Sequence, residues 1–265
     1  MQGIADYEFE RSLGDGNHGE FFLARRPERL PVDAEHVAVK VLSGPTTEDV
    51  FRRATRELTA FAAVRSPYLV ALYDAGQQGG VFYYSMEYLP GGSLATPTLP
   101  LTSYDVLVAV AQAARAAHDL HEAGIVHRDI KPGNVLLHAG GAKLSDLGLS
   151  QVLSPGMTLT GMGSMASVEF NDPTLLHGDP PSRATDIWSL AVTLHRALTG
   201  HGLYGELPDN DPVLVLRKVL STPPAVSDEL DGPAAELIRA AISPDLSARP
   251  ATALEFAERV EALAA

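Results

Sequence analysis

The run His127-Arg128-Asp129-Ile130-Lys131-Pro132-Gly133-Asn134, followed downstream by Asp146-Leu147-Gly148, constrains this chain more than any other part of it. It brings an acid, a cation, an amide and a second acid into one short stretch. The apolar strings Val135-Leu136-Leu137 and Ala142-Lys143-Leu144 between them predict two short strands of a hairpin. Such a hairpin gathers the four polar side chains around one cleft, in a combination suited to phosphoryl transfer: one group to take a proton, one to neutralise charge, two to hold a hard cation.

Composition narrows the alternatives. A chain of 265 residues buries a substantial core as one domain or two closely packed lobes. The formal charge of -13 argues against a general nucleic-acid binder, which needs clustered Lys and Arg to neutralise phosphates. The absence of cysteine excludes a disulfide framework and any thiolate metal site. Charged residues interrupt the apolar stretches well before the roughly 18 residues that a membrane span requires. The opening Met1-Gln2-Gly3-Ile4-Ala5-Asp6 lacks a basic segment followed by an apolar one, so a cytoplasmic location is the expectation. No internal repeat is visible.

The first third predicts an antiparallel sheet. Tyr7 to Leu13 and Glu20 to Ala24 read as strands around a tight turn, Gly14-Asp15-Gly16-Asn17-His18-Gly19. Glycines there let backbone N-H groups approach a phosphate without a side chain intervening, although an ordinary glycine hairpin has the same pattern. Val37-Ala38-Val39-Lys40-Val41 follows as a third strand, carrying a lysine that is costly to bury without an anionic partner. From Asp49 to Val64, apolar Val50, Ala54, Leu58 and Phe61 recur at helical spacing. Glu57 on that helix faces either the sheet or solvent. Val81 to Met86 reads as a further strand. Helices are expected at Tyr104 to Ala123, capped by Gly124, and at Ala184 to Thr199, Pro212 to Leu220, Ala234 to Ile242 and Ala251 to Leu263.

Taken in order, the Gly14 to Gly19 loop, Ala38-Val39-Lys40, Glu57, His127-Arg128-Asp129 through Asn134, and Asp146-Leu147-Gly148 resemble the eukaryotic-type protein kinase domain, a family also common in bacteria. The resemblance covers essentially the whole chain. It implies an α+β, bilobal fold: a small antiparallel sheet with one helix over residues 1 to 88, and a larger, mainly helical lobe over residues 89 to 265. It implies ATP and Mg2+, with Mn2+ as an alternative ion, and a protein substrate with a Ser or Thr hydroxyl; nothing in the sequence fixes the oligomeric state. Carried over residue by residue, Lys40 binds the α- and β-phosphates and is fixed by Glu57, while the backbone around Gly14, Gly16 and Gly19 covers them. Asn134 and Asp146 hold the metal ion, Asp129 accepts the proton of the substrate hydroxyl, and Lys131 neutralises the transferred group. Lys131 at this position resembles serine/threonine kinases. Adenine falls to the Glu87 carbonyl and Leu89 amide, with Leu13, Phe21, Ala38, Met86 and Leu136 around the base. The same resemblance makes Asp186, in Asp186-Ile187-Trp188-Ser189-Leu190, a support for the catalytic-loop backbone; its alternative role is to favour the positive end of its helix.

Three departures from the family pattern stand out. Phe21 replaces a valine, which makes the roof of the base pocket bulkier or shifted. Leu147 replaces a phenylalanine but keeps an apolar side chain. The usual Ala-Pro-Glu becomes Asp172-Pro173-Thr174, removing the carboxylate that would pair with Arg249; a buried unpaired arginine costs several kcal/mol, so Asp172 or Glu169 is expected to substitute. The Pro-containing segment Thr96 to Thr102 is poor helix material. Arg128 before Asp129 points to control by phosphate on the activation segment, with Thr158 and Thr160 as candidates and Ser164 behind them. An active serine/threonine kinase with activation-segment autophosphorylation is the leading reading; a nucleotide-binding pseudokinase scaffold and a small-molecule kinase are the alternatives.

Overall fold

A computed structural model of the chain describes residues 3–16, 19–44, 46–146, 165–208, 211–230 and 232–265, the side chains of 165–167 and Pro212 excepted. Asn17, His18, Leu147, Gly148, Thr158, Thr160 and Ser164, named above, lie outside these residues. The described residues divide into two compact units: 3–63 and 70–88 form the first, 64–69, 89–146 and 165–265 the second.

The first unit is a five-stranded antiparallel sheet of β1 (Glu8–Gly16), β2 (Gly19–Arg25), β3 (His36–Leu42), β4 (Leu72–Gln78) and β5 (Val81–Glu87), in the order β1-β2-β3-β5-β4. Helix α1 (Glu48–Ala63) follows β3. Side chains alternate across the sheet, and the two faces differ in kind. One face buries Tyr7, Ala24, Val37, Val39 and Tyr83 together with Ile4 and Leu30. There the Tyr7 hydroxyl donates to Asp74 and meets Ser85 Oγ at 2.8 Å; burial pushes its pKa up to about 12. The other face carries Phe21, Ala38, Lys40, Tyr84 and Met86. Helix α1 packs on it through Phe51, whose ring meets Phe82 edge-on at 5.5 Å. β1 and β2 remain paired as far as Gly16 and Gly19, so both strands extend into the segment expected to be turn.

The second unit is built on α2 (Ser103–Glu122), which buries alanine, valine and leucine side chains from Val106 to Leu120. A reciprocal capping box, Thr102 with Asp105, starts α2; Gly124, at φ 77°, ends it with its N-H bonded to the His121 carbonyl. The chain then forms a hairpin, β6 (Val135–His138) and β7 (Gly141–Leu144). Helices α3 (Pro173–Leu176), α4 (Arg183–Thr199), α5 (Pro212–Ser221), α6 (Gly232–Ala241) and α7 (Ala253–Leu263) complete it. Helix α4 buries a full face from Thr185 to His195, and α2 packs on both α4 and α7. No helix forms between Thr96 and Thr102. None among the described residues is long and apolar enough to cross a membrane.

Candidate active site

In the second unit the catalytic loop is fixed from behind. Asp186, 1% exposed, sits in the first turn of α4 and accepts three bonds: the His127 and Arg128 backbone N-H groups at 2.8 and 2.9 Å, and His121 Nε2 at 2.8 Å. These bonds hold Arg128 at φ 71°, a conformation that costs a non-glycine residue about 1–3 kcal/mol. The supporting role expected for Asp186 is therefore seen directly. His121, which completes its bonding, was not singled out in the sequence; its only signal is its position on the buried side of α2's last turn.

His127 is buried and links the loop to the metal-site strand. Its Nε2-H donates to the Ser145 carbonyl at 3.0 Å, leaving Nδ1 to accept the Asp129 backbone N-H at 3.4 Å. Burial holds its pKa below the usual histidine value, so the imidazole stays neutral and keeps this one tautomer.

Asp129, Lys131, Asn134 and Asp146 come together as a set. Asn134 Nδ2 donates to the Asp129 backbone oxygen at 2.7 Å and to its Oδ2 at 2.9 Å; Lys131 Nζ is 3.0 Å from the same Oδ2. The Asn134 carbonyl accepts both the backbone N-H and the Oγ-H of Ser145, which places Asp146 beside it at φ 62°. With its amide nitrogen committed, Asn134 presents Oδ1, and Asp146 adds a carboxylate. Two hard oxygens on neighbouring buried residues suit magnesium, which takes few protein ligands and completes its shell with phosphate and water.

The first unit carries the lysine expected to bind phosphates. Lys40 lies on β3, 5% exposed, opposite Phe21 on β2 and Tyr84 on β5. Glu57 is half-buried on α1, between the buried Ala54 and Leu58. Ala38 and Met86 pair directly across β3 and β5, both buried, and Glu87 ends β5 with its N-H bonded to the Ala71 carbonyl. Leu13 and Phe21 are half-buried on the first hairpin, and Gly14, Gly16 and Gly19 line its end. Leu89 and Leu136 belong to the second unit, where both are half-buried, and Leu136 bridges to Ser93.

Arg249 finds a carboxylate, and of the two candidates it is Asp172. Arg249 Nη1 bonds Asp172 Oδ2 at 2.5 Å and the Ala184 carbonyl at 3.0 Å, Nε bonds the Ser243 carbonyl at 2.8 Å, and the guanidinium stacks on Trp188 at 5.2 Å. The other Asp172 oxygen caps α3 by accepting the Thr174 N-H. Glu169 instead lies buried 3.7 Å from Arg196, and burial pushes its pKa up.

A family model described as the protein kinase domain matches residues 7–259. The serine/threonine-protein kinase PknJ of Mycobacterium bovis is 33% identical over 98% of this chain, which spans 45% of that protein. PrkC of Bacillus subtilis, also a serine/threonine-protein kinase, is 33% identical over 73% of the chain, covering 30% of its own length. The chain thus spans less than half of these relatives. The crystal structure of the Mycobacterium tuberculosis PknI kinase domain shares the fold, with a TM-score of 0.70 over 100% of this chain and 99% of that one at 24% identity.

Proposed function

Since the chain belongs to the protein kinase domain family, we propose that it is an ATP-dependent serine/threonine kinase that moves the γ-phosphoryl group onto a protein hydroxyl. The observation that carries this reading is the Asp129 carboxylate, oriented by Asn134 and flanked by Lys131. An Asp129 oxygen takes the proton of the substrate Ser or Thr hydroxyl as its oxygen bonds to the γ-phosphorus. The bond from that phosphorus to the β-γ bridging oxygen breaks, and ADP leaves. Lys131 offsets charge on the transferred group, and Lys40, held in place with Glu57, orients the α- and β-phosphates. Magnesium on Asn134 and Asp146 would neutralise phosphate charge. The Glu87 carbonyl and Leu89 amide pair with adenine.

Transfer of labelled phosphate from ATP to the chain and to a basic protein substrate tests this reading. Wild type transfers, Asp129→Asn falls by about a thousandfold, and Lys40→Met falls comparably; a wild type without transfer would leave the nucleotide-binding scaffold as the better reading. Phosphopeptide mapping of the active protein should find phosphate at Thr158 or Thr160.

A further inference from the structure

Phe21, Lys40 and Tyr84 form one row across the sheet, because Phe21 pairs with Lys40 and Lys40 with Tyr84 in the strand register. Lys40 Nζ lies 4.7 Å from the centre of the Phe21 ring and 5.9 Å from that of Tyr84. Both distances are within reach of a cation–π attraction, the first well within it.

The Phe21 ring also touches the glycine loop. A Cβ built on Gly16 would stand 2.4 Å from Phe21 Cε2 and 3.1 Å from Cδ2, with Lys40 Cε at 3.5 Å. A side chain there would force the Phe21 ring to shift, so the backbone of Gly16 lies directly against the ring. One phenyl group therefore contacts both the loop backbone and the ammonium, the two groups assigned above to the same phosphates. A valine in this strand position has no ring to lay across either.

We propose that Phe21 is a lid on Lys40 that competes with nucleotide phosphate for the ammonium, so that it sets phosphate affinity rather than base affinity. This rests on the assignment of Lys40 to the nucleotide. To engage both Nζ and the loop amides, a phosphate must displace the ring, while a ligand that carries the base and sugar alone leaves it in place. Phe21 is thus a residue that tunes which adenine ligands bind, acting through Lys40. Tyr84, farther from Nζ, contributes less.

The test is calorimetric titration of wild type, Phe21→Val and Tyr84→Leu with adenosine, ADP and ATP. Valine is β-branched and suits strand β2; Phe21→Leu serves equally should it fold poorly. Phe21→Val is expected to bind ADP and ATP about fivefold more tightly, the scale of one lost cation–π contact, with adenosine changed by less than about twofold and Tyr84→Leu closer to wild type throughout. Equal gains for all three ligands, or weaker adenosine binding, would make Phe21 part of the base pocket and overturn the lid. Unchanged or weaker ADP binding would overturn it as well. Wild type and variants that bind none of the three, adenosine included, would show instead that the nucleotide assignment itself has failed, and the lid with it.

Discussion

The catalytic loop of the second unit and the lysine row of the first differ in the neighbours that surround them. Around Asp129 the restraints are short, directional hydrogen bonds from Asp186, His127 and Asn134, each to a group with one allowed position. Beside Lys40 lie two aromatic faces, which attract a cation over a broad range of angles. A proton acceptor must meet a hydroxyl within a few tenths of an ångström, since misplacement costs rate steeply. A lysine that meets a flexible chain of phosphates tolerates aromatic neighbours of this kind, whose attraction is broad in angle.

The comparison is broken most severely at Asp186. Asp186→Ala leaves two buried backbone N-H groups and His121 Nε2 without their acceptor, which should cost about 4 kcal/mol of stability. Phosphate transfer should be lost; urea unfolding and a transfer assay check both. Next comes Asp172→Ala, which removes the carboxylate of a buried ion pair and should cost about 3 kcal/mol. Adding Thr174→Glu to that variant restores a carboxylate where the family places one and is expected to recover about half of the loss; no recovery would mean that Arg249 cannot be reached from position 174.

A smaller, pH-dependent effect sharpens the contrast. Buried His127 has its pKa pushed below the ordinary value, so the unfolded chain takes up a proton that the fold refuses. Its contribution to stability is intact above about pH 6.5 and declines as the pH falls below that. The melting temperature of wild type should drop between about pH 7.5 and 5.5, and that of His127→Asn should drop less. His195, whose pKa burial also lowers, keeps part of the slope in both proteins. The least effect is expected from Arg115→Ala: its bidentate bonds to Glu261 join α2 to α7 at a largely exposed site, and the loss should be about 0.5 kcal/mol by chemical denaturation.

Much of this was readable because the signals were local. The helix at residues 103–122 announces itself by apolar spacing and the closing Gly124, and the catalytic groups by fixed offsets within one loop. β4 was missed: Leu72-Tyr73-Asp74-Ala75-Gly76-Gln77-Gln78 has no apolar alternation, because it is an edge strand secured by its pairing with β5. α3 was missed because four residues carry no periodicity. Arg249 was seen to need a carboxylate, yet the choice of Asp172 over Glu169 depends on α3, whose cap orients that side chain toward the arginine. Tyr84 was read only as a strand residue; its place beside Lys40 follows from the register of two strands far apart in sequence.

The Asp172–Arg249 pair also bears on the order in which the protein is made. Its partners are separated by 77 positions, so at about 5–20 residues per second the ribosome needs about 4–15 s after Asp172 to supply Arg249. Asp186 follows His127 by only 59 positions and can complete the catalytic loop before that. A nascent chain thus acquires the support of its proton acceptor first and the anchor of the segment ending at Asp172 later, an ordering built into the choice of which carboxylate meets the arginine.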